Sequence, residues 1–99
     1  MAVSGPKAIS RIAWRVDSMD AEKYHAKFND NYTLHLEKHG DDRWQIRIDG
    51  PLPLQKLQSA AALTDAMEKA YCLCEAHFNR HRIQETHLKA DQIKWQTVR

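Results

Sequence analysis

The stretch that most constrains this chain runs from Tyr32 to Ile48. Tyr32, Leu34 and Leu36 alternate with Thr33, His35 and Glu37, and Trp44, Ile46 and Ile48 alternate with Gln45, Arg47 and Asp49. Strict alternation on both sides of Lys38-His39-Gly40-Asp41-Asp42-Arg43 predicts a β-hairpin with every large apolar side chain on one face, and Gly40 permits the positive φ that such a connection often needs. A lone hairpin is marginal in water, so the rest of the chain must cover that face.

At 99 residues there is room for one modest core. The expectation is an α+β domain, an antiparallel three- to four-stranded sheet packed against one long amphipathic helix in the C-terminal half. Residues 1–8, with Gly5-Pro6, read as a flexible arm, 9–82 as the domain, and 83–99 as an extension that continues the helix or forms a short strand. Ile12, Trp14 and Val16 alternate within 9–17, a first strand. Tyr24, Ala26 and Phe28 alternate as a weaker one, with a helical turn over 21–27 as the competing reading. Leu54 to Leu57, after Gly50-Pro51-Leu52-Pro53, could form a short edge strand.

From roughly 60 to 82 the period changes to that of a helix, with Ser59, Thr64 or Asp65 as the N-cap. Leu63, Ala66, Met67, Ala70, Leu73, Cys74, His77, Phe78 and His81 fall on one stripe. Such a helix, ~33 Å long, overhangs strands of ~23 Å. His77, Phe78 and His81 lie in the overhang and call for a cover: a tail carrying Trp95, a second copy of the chain, or a partner protein. A partner-binding patch of His77, Phe78, His81 and Trp95 is the resulting site expectation, with Phe78 as its anchor.

Cys74, His77 and His81 stand at i, i+3 and i+7, part of the spacing of a zinc site, but a small core cysteine, with the histidines marking where the stripe emerges from the core, is the commoner meaning, and no metal or other cofactor is expected. Arg11, Arg15, His35, Gln45 and Arg47 fall on the sheet face away from the helix, where a β-ribbon could meet nucleic acid. Glu37 and Asp49 dilute that face, and a formal charge of +2 compels no polyanionic partner. No glycine-rich phosphate cradle and no nucleophile elbow occurs, so the chain does not read as an enzyme. Cys72 and Cys74, two apart on a helix, point about 160° from each other and cannot pair, which suits a reducing cytosol. No stretch approaches the ~20 apolar residues of a membrane span.

The order Ile12-Ala13-Trp14-Arg15, Tyr32-Thr33-Leu34, Trp44-Gln45-Ile46-Arg47-Ile48 and Asp65-Ala66-Met67-Glu68-Lys69-Ala70 resembles the layout of many small phage and prophage proteins, over about residues 9–80. That resemblance implies stoichiometric binding of a host protein or nucleoprotein complex, as anti-CRISPR and other anti-defence inhibitors do, in the bacterial cytosol. A homodimer and a small DNA-binding module remain the alternatives.

Overall fold

The computed structural model describes residues 14–18 and 21–98. Its strands are β1 (Arg15–Val16), β2 (Lys23–Lys27), β3 (Thr33–Lys38), β4 (Arg43–Asp49), β5 (Leu54–Ser59) and β6 (Lys94–Thr97), and its helix is α1 (Leu63–Arg80). They build one six-stranded sheet in the order β1-β6-β2-β3-β4-β5, backed by the helix. The α+β class is as expected, but the sheet is wider than three or four strands and is mixed: β1 runs parallel to β6, with Val16 opposite Trp95. The arm at 1–8 and most of the strand expected at 9–17 lie outside the described residues.

β2 to β5 form an antiparallel meander in register Tyr24↔Leu36, Leu34↔Ile48 and Ile46↔Lys56. Because side chains alternate between faces, Tyr24, Ala26, Leu34, Leu36, Trp44, Ile46 and Ile48 all turn to the helix and are buried. Leu63, Ala66, Met67, Ala70, Cys74 and Phe78, at three- and four-residue spacing, meet them. The helix starts at Leu63, later than 60, because Ser59 is still the last residue of β5. Its Ala62 cap makes no side-chain bond, and Thr64 and Asp65 lie inside the first turn.

The helix ends in a backbone motif that local spacing did not announce. Arg82 takes φ 54°, its amide donates to the Asn79 carbonyl and that of Ile83 donates to Phe78, 2.9 Å away. Two of the last free carbonyls are thereby satisfied. The chain then crosses back beneath the helix, where the Leu88 amide donates to the Phe28 carbonyl (2.9 Å) and the Tyr71 hydroxyl to the Leu88 carbonyl (3.1 Å). It enters the sheet as β6, between β1 and β2. Of the two forms expected for 83–99, the structure has the short strand, and it joins the sheet.

A groove beside the edge strand and a bare sheet face

Pro51 and Pro53 cannot donate to a ladder, so the chain regains pairing only at Leu54. β5 is bonded to β4 and, among the described residues, to no strand on its other side. Leu54, Lys56 and Gln58 face the helix side, Gln55, Leu57 and Ser59 the other. Two contacts fix how α1 lies along β5. Lys69 Nζ donates to the Ser59 carbonyl at one end, and at the other His77 Nε2 lies 2.7 Å from the Leu52 carbonyl oxygen. The strand and helix thus run antiparallel. Between them is a groove of about 350 Å³ lined by Leu52, Leu54, Lys56, Leu73, Ala76, His77, Arg80 and His81.

The site residues expected from the stripe separate. His77 and His81 come together, ring centroids 4.7 Å apart, and both line the groove. Phe78 does not join them, because it is 4 % exposed and lies among the rings of Phe28 (5.2 Å), Tyr32 (4.9 Å) and His87 (5.7 Å). The overhang is covered on that side by the chain between α1 and β6. Trp95 is 1 % exposed and packs edge-on against Trp14 at 6.4 Å, away from Phe78. Neither aromatic can anchor a partner in this fold. Leu52 and Leu57, which sequence reasoning did not single out, are exposed beside the groove and the strand edge.

Cys74 is fully buried, and burial, then Glu75, pushes its thiol up to about 12. Such a thiol stays protonated and is a poor metal ligand. Among the described residues no three His, Cys, Asp or Glu side chains gather as a metal site. Cys72 is exposed, but burial and the carboxylates of Glu68 and Glu75 raise its thiol, the reverse of nucleophile activation.

The other face of the sheet has no layer on it among the described residues. Arg15, His35, Gln45 and Arg47 stand there as expected, while Arg11 is outside the described residues. Lys23, His25, Lys27 and Lys94 share the face through their register and were missed because β2 and β6 widen the sheet; Arg43, the first residue of β4, shares it too. Its acids are engaged: Glu37 lies 3.8 Å from Lys23 Nζ, and Asp49 accepts from Arg47 Nε (3.1 Å) and lies 2.9 Å from His35 Nε2. His35 nevertheless has its pKa lowered, since burial and the Arg47 charge outweigh Asp49.

A hollow of about 490 Å³ lies between the turn at 29–31 and residues 85–88. Its polar groups satisfy one another: Glu85 Oε1 accepts from Asn29 and Asn31 side-chain amides, and Asn29 Oδ1 accepts from the Asn31 and Tyr32 backbone. No helix among the described residues is long and apolar enough to cross a membrane. No protein-family model, curated protein or solved structure matches this chain, so its function has to be argued from the geometry.

Proposed function

We propose that the protein acts by binding another protein, with no chemistry of its own, through the groove between β5 and α1. One observation carries this reading. Of the large apolar side chains exposed among the described residues, Leu52, Leu57 and Val98, Leu52 lines this groove and Leu57 stands on the unpaired edge strand β5, on the sheet's other face. Exposed apolar side chains beside an unpaired strand edge are the kind of surface that partners cover. The layout resembles that of small phage proteins, which would make a host protein or nucleoprotein complex the target, a CRISPR-Cas effector being one such assembly. Capture from a bacterial lysate on immobilised protein, identified by mass spectrometry, tests this. A specific partner should be retained by the wild type and lost with Leu52→Ser, which alters an exposed apolar side chain lining the groove. Retention of no partner, or of the same proteins by both, would rule it out.

A second reading has its own support. Among the described residues, Arg15, Lys23, Lys27, Arg43, Arg47 and Lys94 share the bare face with Glu37 and Asp49, and Lys27 also reaches Asp30 at 3.6 Å, so positive charge is in excess there. A face of this kind suits nucleic-acid phosphates. Binding to duplex DNA should then weaken steeply with salt, and Arg15→Ala or Arg47→Ala should flatten that dependence. Salt-insensitive or absent binding would exclude it.

A further inference from the structure

We infer that the groove takes an extended peptide carrying apolar and acidic residues, which adds to the sheet as a strand along β5; this rests on the protein-binding reading above. The outward N–H and C=O groups of β5 have no strand partner among the described residues, and an added strand would satisfy them while its alternate side chains enter the groove. The middle of the groove is apolar, between Leu54, Leu73 and Ala76. Every charged group lining it is basic. Lys56 lies toward the Ser59 end of the strand and Arg80 toward the Leu52 end, with the His81 imidazole beside it. A bound strand would therefore place an apolar side chain centrally on the helix side, with carboxylates reaching Lys56 and Arg80 on either side of it.

The same charges argue against other occupants. β5, Leu-Gln-Lys-Leu-Gln-Ser, contains no acid, so a second copy would bring another lysine to Lys56 in place of a carboxylate. A basic peptide would meet like charge at both ends of the groove.

The test is a displayed library of segments of about six to eight residues, a usual strand length, with each position drawn from Val, Leu, Thr, Glu and Lys. The wild-type protein should enrich segments with acids flanking apolar positions. The Ala76→Glu variant, altered at an exposed helix position, should not enrich them. A synthetic enriched peptide should protect β5 amides from exchange, and Lys56→Ala should weaken it roughly fivefold, as loss of one partly exposed ion pair does. Lys56→Glu combined with Arg80→Glu should redirect enrichment to lysine-bearing segments. Enrichment of basic segments, equal enrichment by Ala76→Glu, or no enrichment would overturn the inference. If the library fails while lysate capture still depends on Leu52, strand addition is wrong and protein binding stands. If both fail, both fall.

Discussion

His77 Nε2 and the Leu52 carbonyl oxygen, 2.7 Å apart, join the last turns of the helix to the proline-containing approach of β5. The ring is 6 % exposed, and only the tautomer with its proton on Nε2, or the imidazolium, can donate this bond. Replacing His77 by Phe should leave the carbonyl without that donor and cost about 1–3 kcal/mol. Urea unfolding measures it, and an unchanged midpoint would mean that water replaces the imidazole.

Arg82 holds a left-handed conformation that favours glycine. Arg82→Gly should raise stability by about 0.5–1 kcal/mol, relief of backbone strain exceeding the added freedom of the unfolded chain. A lower melting temperature would show that the arginine side chain contributes more than its backbone costs.

Trp44, 4 % exposed, and Phe78, also 4 % exposed, both belong to the core. Trp44→Ala should cost about 3–5 kcal/mol, a large part of the roughly 5–15 kcal/mol that holds a domain together. Phe78→Ser should likewise act on folding, measured by circular dichroism. Normal stability of the Phe78 variant would contradict its place between Phe28 and Tyr32.

The lowered pKa of His35, whose ordinary value is 6.5, sets a direction for stability against pH. The unfolded chain takes up the proton at higher pH than the folded chain. This site therefore gives no penalty well above pH 6.5, a growing one as pH falls from there toward the folded value, and a constant one below it. Urea midpoints from about pH 7.5 to 5.5 should fall more for the wild type than for His35→Gln. Parallel curves would show that Asp49 compensates fully for burial and Arg47.

The thiols should differ in reactivity. Cys72 is exposed and Cys74 fully buried, so a thiol reagent at about pH 8 should label the folded protein once, and more slowly than free cysteine because Cys72 is raised. Both should react in urea, and Cys72→Ser should abolish labelling in the folded state.

The hairpin of β3 and β4 was legible because one face is buried and the other wet, which imposes alternation on both strands. β5 was harder to read, since at an edge only Leu54 and Gln58 are half-buried and the remaining positions are exposed. The partnership of β1 and β6 left no local trace, because residues far apart in the chain meet without a turn to mark them. His77 and His81 were found through the helical stripe. Phe78 was misassigned because its cover, around His87, follows no period. Leu52 and Leu57 were passed over for a similar reason: neither lies on a regular apolar pattern, and only the free edge gives their exposure significance.

The insertion of β6 between β1 and β2 also determines the order in which the sheet can assemble. Neighbours within β2 to β5 are joined by short connections, so this meander can form early at little entropic cost. β1 cannot join it directly, because its sheet partner is β6, and the contact of Asp17 with Thr97 closes 80 positions of chain. The two strands that include Trp14's neighbour Arg15 and the buried Trp95 should thus dock last and open first. Closing this last pair would also bury Ile93 and Trp95, both almost wholly enclosed in the finished core, so the final step of assembly is also one that seals the core.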